Sequence, residues 1–173
     1  MPAVNIDPFL IWLEATPLSQ WIVGSPSMFV FPGFLVLHAI GMGLAAGLSA
    51  ALDLRVLGVA ASMPLVELRR FQPVLWLGFW MNAVSGVLLL IGYPTKALTN
   101  PVFYLKLLLI ATGMVLMARM QRALTDERVL ADPETARRLR RLAAVSLLCW
   151  TGAIFAGRLL AYTHTRLTAT DFQ

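Results

Sequence analysis

Apolar residues dominate four long segments of the chain, and polar positions are rare inside them. The segments run over about residues 33–57, 74–92, 102–124 and 142–163. A helix rises about 1.5 Å per residue, so roughly 20 apolar residues are needed to cross the hydrocarbon core of a bilayer. All four segments reach that length, the second only narrowly. The pattern therefore predicts four transmembrane helices.

Two shorter segments precede the first span, at residues 8–15 and 17–23. Both are too short to cross a bilayer, and they carry Trp12 and Trp21 together with polar side chains. Short helices with aromatic residues are typical of the membrane interface. We expect two interfacial helices here. We expect no removable signal peptide, because no Lys or Arg precedes an apolar core.

A polar residue followed by proline recurs where the helices are expected to begin. Proline suits the first helical position because its missing N–H would be unpaired there. The pairs are Asp7-Pro8, Thr16-Pro17, Asn100-Pro101 and Asp132-Pro133, with Ser25-Pro26 before the first span, Gln72-Pro73 at the start of the second, and Pro64 opening a short lead-in. The predicted fold is all-α, a single domain over residues 1–173. It is an integral membrane four-helix bundle with short interfacial N-terminal helices.

The composition also indicates a membrane protein. The chain is 58% hydrophobic and 13% charged, whereas soluble domains have about 45–50% apolar and about 25% charged residues. The net charge of +5 does not indicate nucleic acid, because the Arg residues flank apolar runs and lack interleaved aromatic residues. The single Cys149 excludes an intrachain disulfide and a cysteine metal cluster, and we interpret it as a packing residue.

The Lys and Arg residues in the loops, in the tail and at the span ends are distributed unevenly between the two sides. One side has ten, namely Arg55, Arg69, Arg70, Arg119, Arg122, Arg128, Arg137, Arg138, Arg140 and Arg141, and the other has two, Lys96 and Arg166. Positively charged loops stay in the cytoplasm. This predicts that both termini are outside and that the 119–141 segment is in the cytoplasm.

Three ionisable residues lie in the outer half of the spans. By helical rise, His38, Lys106 and Arg158 are all roughly 8–10 Å below the same surface. No Asp or Glu occurs at that depth, so the protein supplies no counter-charge and an anionic ligand would provide one. Haem propionates, a quinone oxygen or a lipid phosphate would all suit this cluster. Alternatively, Lys106 and Arg158 extend their long side chains to the outer headgroups.

His38 is the candidate cofactor ligand. Gly41, Met42, Ala45 and Ser49 share its helix face, and the small residues leave room for a flat group. Imidazole is a common axial ligand of haem b. The alternative is that His38 forms an interhelical hydrogen bond.

A second axial ligand is harder to assign. His164 is the only other His, about 9 Å nearer the surface than Arg158, and Met81 and Met114 are deeper. A five-coordinate haem is also open. A Cu(I) site from His38 and Met42 is less well supported, because two ligands are few.

Small and polar residues elsewhere in the spans suggest helix packing. Gly43 and Gly47 form a Gly-x-x-x-Gly motif on a different face from His38, which favours close packing within the bundle or between copies of the chain. A second set consists of Asp53, Arg55, Asn82 and Ser85. We interpret this second set as polar ties between the first two spans.

An ordered set of motifs carries a family resemblance. It comprises Leu37-His38-Ala39-Ile40-Gly41, Gly47, Asp53-Leu54-Arg55-Val56-Leu57-Gly58, Trp76-x-Gly78-Phe79, Ser85-Gly86-x-Leu88-Leu89-Leu90, Asn100-Pro101-x-Phe103-x-x-Lys106 and Ala156-Gly157-Arg158-Leu159-Leu160-Ala161-Tyr162. The set covers most of residues 35–162. It resembles a widespread family of small bacterial inner-membrane proteins, a domain of unknown function. It is distantly similar to copper-resistance and haem-binding four-span membrane domains. The resemblance implies this architecture, with His38, Lys106 and Arg158 in the family pattern, and no established activity.

Two functions remain after these observations. The first is a binding or redox subunit that holds haem b or a quinone near the outer face. The second is a structural or accessory subunit that anchors another membrane or periplasmic protein on the interfacial helices, and a homo-oligomer is also possible. A copper-handling protein is less well supported. A hydrolase is the least supported, because Ser, His and acid residues do not converge at one depth. Neither leading function requires catalytic turnover.

Overall fold

The computed structural model describes residues 6–59, 61–124, 131–163 and 166–168. Within these ranges the chain forms eight helices and no strand. The helices are α1 (Asp7–Glu14), α2 (Pro17–Gly24), α3 (Phe31–Leu57), α4 (Leu65–Arg70), α5 (Gln72–Gly92), α6 (Pro94–Leu98), α7 (Pro101–Ala123) and α8 (Pro133–Tyr162). The all-α prediction is confirmed.

Four of these helices, α3, α5, α7 and α8, are long and apolar enough to cross a membrane. They correspond to the four predicted spans, as expected of a multi-pass membrane protein. Large apolar side chains point away from the bundle, for example Leu108, Leu148 and Phe155, which are 64%, 71% and 66% exposed. Such outward faces are suited to contact with lipid.

Three of the predicted helix starts have the expected caps. The side chains of Thr16, Asn100 and Asp132 accept hydrogen bonds from backbone N–H groups in the first turns of α2, α7 and α8. Asp7 and Gln72 instead lie inside the first turns, after Ile6 and Phe71, which make no side-chain cap bond. The capping prediction is therefore wrong at Asp7.

The closest approach between two long helices is between α3 and α5. A Cβ atom on Gly41 would lie 2.5 Å from the Asn82 backbone nitrogen and 2.7 Å from the Gly78 carbonyl oxygen. Glycine at these positions lets the two backbones approach. Gly43 and Gly47 are different, because a Cβ on either would meet no atom within 4 Å. The Gly-x-x-x-Gly motif therefore faces outward, and its use between copies of the chain stays a prediction.

The bundle interior contains two apolar clusters at different depths. The outer apolar cluster consists of Ala45, Ala46 and Trp150, with Met42, Phe79, Ile110 and Met114 packed against it. The inner apolar cluster consists of Leu52, Val56, Met120, Leu124, Leu139 and Ala143. All four long helices contribute to the outer apolar cluster. We call the end of the bundle where α3 and α7 begin the outer end.

Helices α1 and α2 cover the outer end. Leu10 and Ile22 are fully buried, and Ile22 packs against Gly92 at the end of α5. The Thr95 hydroxyl donates to Glu14 Oε1 over 2.5 Å, which ties α1 to α6. The opposite faces carry exposed aromatic side chains: Phe9, Trp12 and Trp21. The segments predicted at 8–15 and 17–23 are thus helical, and aromatic residues line their outward side.

Candidate functional site in the outer half of the bundle

His38 on α3 and Lys106 on α7 meet inside the outer half of the bundle. Lys106 Nζ lies 3.1 Å from His38 Nε2. The Lys106 side chain is half-buried, and its Cε would be 3.6 Å from a Cβ on Gly157 of α8. The missing side chain at Gly157 therefore leaves a path for the Lys106 stem. Lys106 turns inward to His38 rather than outward to the headgroups.

The neighbours of His38 fix its protonation pattern. Its Nδ1 lies 3.0 Å from the backbone carbonyl oxygen of Asn82, which can only accept a hydrogen bond. Nδ1 therefore carries the hydrogen. The Lys106 ammonium can only donate, so Nε2 accepts from it. This assigns His38 as a neutral imidazole with its hydrogen on Nδ1, a tautomer inferred from the hydrogen-bond network.

Two polar residues of α5 complete the surroundings of His38. Asn82 Nδ2 donates to the His38 carbonyl oxygen over 2.8 Å, and Ser85 Oγ lies 3.3 Å from His38 Nδ1. The sequence interpretation grouped Asn82 and Ser85 with Asp53 and Arg55. The structure separates them, because Asn82 and Ser85 serve His38 near the outer end, whereas Asp53 lies near the other end of α3.

The residue spacing on α5 contained a signal for this arrangement. Gly78, Asn82 and Ser85 follow one another at intervals of four and three, so they share a helix face. A glycine on that face permits a close neighbour, and two polar groups on it indicate a polar partner. The corresponding pair on α3 is Gly41 and His38.

The space beside His38 is occupied by protein. The position at Gly41, which was expected to leave room for a flat group, is filled by the α5 backbone. A Cβ on Gly86 would lie 3.1 Å from His38 Cε1, so the ring itself covers that glycine. Met42 packs against the outer apolar cluster. Gly41 and Met42 therefore serve helix packing in this arrangement.

The other predicted site residues stand apart from the pair. Arg158 is exposed and makes no hydrogen bond or ion pair with any residue that the structure describes. It directly follows Gly157, so it lies at the level of Lys106 without joining the His38 contact. His164 lies outside the described residues. In the described part of the chain, no group of three or more His, Cys, Asp or Glu side chains is placed to hold a metal ion.

A serine beside a histidine raises the question of nucleophilic chemistry. Ser85 donates its hydroxyl to the Met81 carbonyl oxygen over 2.5 Å, as well as lying near His38. Within the described ranges no carboxylate contacts the imidazole, so no acid orients it as in a Ser-His-Asp triad. Ser85 is better explained as a hydrogen-bonding neighbour of His38.

The haem prediction can be compared with this geometry. An axial bond to iron would need the lone pair of His38 Nε2, which here faces Lys106 Nζ. Lys106 would have to move away before iron could bind, so the residues as arranged do not fit an axial haem ligand. A ligand oxygen that accepts a hydrogen bond from Lys106 would not require Lys106 to leave His38. An ammonium group has three N–H donors, and within the described chain only His38 Nε2 receives one from Lys106.

The site is thus a half-buried ammonium group, held by a neutral imidazole, with donors left for an oxygen ligand. Comparison of this chain with models of protein families, with curated proteins and with solved structures found no match.

Proposed function

We propose that this chain is an integral membrane subunit that binds the head group of a quinone in the outer half of its bundle. Lys106 donates a hydrogen bond to a quinone carbonyl oxygen, and His38 holds Lys106 in place. The observation that carries the proposal is the His38–Lys106 contact, which uses one ammonium donor and leaves two for a ligand.

The depth of Lys106 favours a ligand of this kind. A cation inside a membrane is costly unless its N–H donors are hydrogen-bonded or hydrated, and in the described chain His38 accepts only one of the three from Lys106. A quinone carries a polar head that accepts hydrogen bonds and an apolar tail that remains in lipid. Leu105, Leu107 and Leu108 next to Lys106 are exposed on the lipid-facing side of α7, where such a tail would lie.

Haem propionates and lipid phosphates share the acceptor chemistry and would use Lys106 in the same way. For haem, an absorption spectrum of the purified protein with and without dithionite separates the alternatives. A Soret band that is lost in His38→Ala would favour haem over a quinone. For a phosphate headgroup, binding would depend on the content of anionic lipid rather than on added quinone.

The proposal is tested by titrating a short-chain ubiquinone analogue into the full-length protein in lipid nanodiscs. Quenching of tryptophan fluorescence reports binding. Lys106→Met removes the donor and keeps an unbranched stem beside Gly157. A hydrogen bond from a charged group contributes about 1.5–3 kcal/mol, so we expect Lys106→Met to weaken binding by roughly 10-fold to 150-fold.

Lys96→Met is the matched control, because Lys96 lies at the same end of the bundle and donates to the Ala161 carbonyl oxygen, away from His38. It should bind the analogue as the wild type does. Equal affinity of wild type and Lys106→Met would contradict the proposal. If wild type binds no quinone at all, the structural or accessory function is favoured instead.

A redox role would add a partner. Conversion of a quinone to a quinol takes up two electrons and two protons, and we propose another membrane or periplasmic subunit as the electron source. The surface formed by α1 and α2, with exposed Trp12 and Trp21, is where such a subunit would dock. If no quinone binds, the same surface could still anchor a partner protein, which is the structural or accessory function.

We also infer that the protein lies in the bacterial inner membrane with its outer end on the periplasmic side. Exposed Arg residues gather at the opposite end, around the inner ends of α4, α7 and α8. In a Cys149→Ala background, Ser27→Cys should react with an impermeant maleimide on intact cells. Arg138→Cys should react only after lysis, and the reverse pattern would overturn the orientation.

A further inference from the structure

A second set of buried polar groups lies deeper in the bundle, between α3 and α8. Ser49 and Asp53 on α3 and Ser146 on α8 are each 0% exposed. We call these three residues the polar layer. Ser49 and Ser146 lie between the outer and the inner apolar clusters on their helices, and Asp53 lies beside Leu52 at the edge of the inner one. The layer is separate from the His38 site, because Asp53 is about 22 Å from His38 along α3.

None of the polar atoms in this layer is satisfied by protein. Both carboxylate oxygens of Asp53, and the hydroxyls of Ser49 and Ser146, have no hydrogen-bond partner among the described residues. The Ser146 hydroxyl lies beside the Asp53 carboxylate across the α3–α8 interface and is near enough to stabilise its charge, but neither group makes a hydrogen bond of good geometry. Buried polar groups are nearly always paired in proteins, so this set calls for an explanation.

Among the described residues, no basic side chain neutralises Asp53. Arg55 on the same helix donates instead to the Met63 carbonyl oxygen over 2.6 Å, and Arg70 on α4 pairs with Glu67 at the surface over 3.4 Å. The basic residues of α7 nearest this end, Arg119 and Arg122, are exposed. On α8, Cys149 is the titratable group within electrostatic range of the carboxylate. In the described chain no Lys or Arg contacts Asp53.

A lone carboxylate in this environment carries a large desolvation cost, which a bound cation or proton removes. The hydroxyls of Ser49 and Ser146 add oxygen atoms, the ligand type that hard cations prefer. We propose that the polar layer binds one small monovalent cation, a proton or a sodium ion, on the Asp53 carboxylate. Charge balance holds in both forms, because one positive charge neutralises one carboxylate.

A small cavity lies beside the polar layer, lined by residues of α3, α4, α5 and α7. Its volume is about 20 Å³, enough for about one water molecule. Leu52, next to Asp53 in the chain, lines it together with Gln72 and Gln121, whose side chains are hydrogen-bonded to each other over 2.9 Å. Arg69 also lines this cavity, whereas the three residues of the polar layer do not, so the cavity is a neighbouring space rather than a path to Asp53.

Labelling with dicyclohexylcarbodiimide tests the proposal, since this reagent modifies protonated carboxyl groups within membranes. The full-length protein in sodium-free nanodiscs is labelled across a pH series, with choline chloride or sodium chloride at equal ionic strength. Peptide mass spectrometry then measures modification at Asp53. If the cation is a proton, labelling falls about tenfold per pH unit on the alkaline side, and sodium has no effect. If it is sodium, sodium chloride protects Asp53 and Ser146→Ala weakens the protection.

Two controls make the outcome decisive. Asp132 is an exposed carboxylate whose pKa is lowered by hydrogen bonds from Thr135, so it should stay unlabelled. The infrared C=O stretch of a protonated carboxyl group, assigned by its loss in Asp53→Asn, reports protonation without a reagent. The proposal is overturned if neither the label nor this band appears at any pH. It is equally overturned if both are insensitive to pH and to sodium. Quinone binding does not enter this experiment, so the two proposals can fail separately.

Discussion

Two buried polar side chains on the same helix, His38 and Asp53, have opposite surroundings. Both ring nitrogens of His38 have partners, on α5 and α7, whereas neither oxygen of Asp53 has a partner in the described chain. The difference teaches that polar residues at membrane depth are not equivalent functional signals. His38 is satisfied by protein and positions another group. Asp53 has no hydrogen-bond partner among the described residues, and we propose that a cation binds it.

The neighbouring helices explain the difference. Near His38, the contact of Gly41 with α5 brings the α5 backbone and the Asn82 carbonyl within hydrogen-bonding reach. Near Asp53, the facing helix α8 offers the small Ser146 hydroxyl, and the next layer inward is wholly apolar. The comparison yields four predictions. In each, a substitution at the His38 site or in the polar layer should change the properties of that region and leave the other region unchanged.

The largest effect is expected from Gly41→Ala. The new Cβ would lie 2.5 Å from the backbone nitrogen of Asn82, and a backbone cannot rotate away as a side chain can. We expect a loss of about 3 kcal/mol in the free energy of unfolding, at the upper end for overpacking. Reversible unfolding in mixed micelles with increasing dodecyl sulfate would measure it.

Gly43→Ala is the control, because the same added methyl meets no atom within 4 Å. Replacing a mid-helix glycine there should be neutral or stabilise by about 0.5–1 kcal/mol. Labelling of Asp53 should survive Gly41→Ala if the protein remains folded, since Asp53 is about 18 Å from Gly41 along α3. Equal unfolding free energies for the two alanine variants would contradict the assigned role of the α3–α5 contact.

The second prediction concerns His38→Leu. Leucine removes the acceptor for Lys106 and leaves the ammonium group without a partner in the described chain. Leaving a buried or half-buried group unsatisfied costs about 1–3 kcal/mol, so we expect a loss of about 2 kcal/mol in unfolding free energy. The double variant His38→Leu with Lys106→Met should regain part of that loss. Additive losses in the double variant would show that the two side chains are not coupled.

The third prediction is that a substitution at Asp53 does not lower the free energy of unfolding, unlike the first two. Asp53→Asn keeps the shape of the side chain and removes its charge, so it should leave the protein as stable as wild type or up to about 1 kcal/mol more stable. In sodium-free buffer the advantage should grow as pH rises, because wild type then acquires a lone buried charge and asparagine does not titrate. The unfolding free energy of both proteins across a pH series tests this. A clear loss of stability in Asp53→Asn at alkaline pH would contradict the account of the polar layer.

Much of the fold was predictable from sequence because its determinants are local. The length of each apolar segment specified the spans, and a polar side chain before proline specified three helix starts at Thr16, Asn100 and Asp132. Helix α6 was not predicted. It is a single turn that depends on distant contacts, such as the Thr95 hydroxyl on Glu14 of α1.

The depth of the site residues in the bundle was predictable from sequence, but the directions of their side chains were not. Helical rise placed His38 and Lys106 at one level, but the path of the Lys106 stem depends on Gly157 of α8. The spacing of Gly78, Asn82 and Ser85 indicates a polar face on α5, but the atoms that Asn82 meets depend on the register between α3 and α5, which the spacing on one helix does not encode. The prediction of free space beside Gly41 was wrong because a small residue can accommodate either a ligand or a neighbouring backbone, and here it accommodates the backbone of α5.

The smallest effect is expected from Ser85→Ala, which probes how completely His38 is satisfied. Ser85 Oγ lies 3.3 Å from His38 Nδ1, but the Asn82 carbonyl oxygen is nearer, at 3.0 Å, and remains available as the acceptor. The loss should therefore be about 0.5 kcal/mol, the lower limit for a hydrogen bond, with quinone binding unchanged. Ser146→Ala in the polar layer is the matched comparison, because its hydroxyl is also 0% exposed but has no partner in the described chain. If Ser85→Ala weakened quinone binding as strongly as Lys106→Met, the ring of His38 would be held by Ser85 rather than by the Asn82 carbonyl.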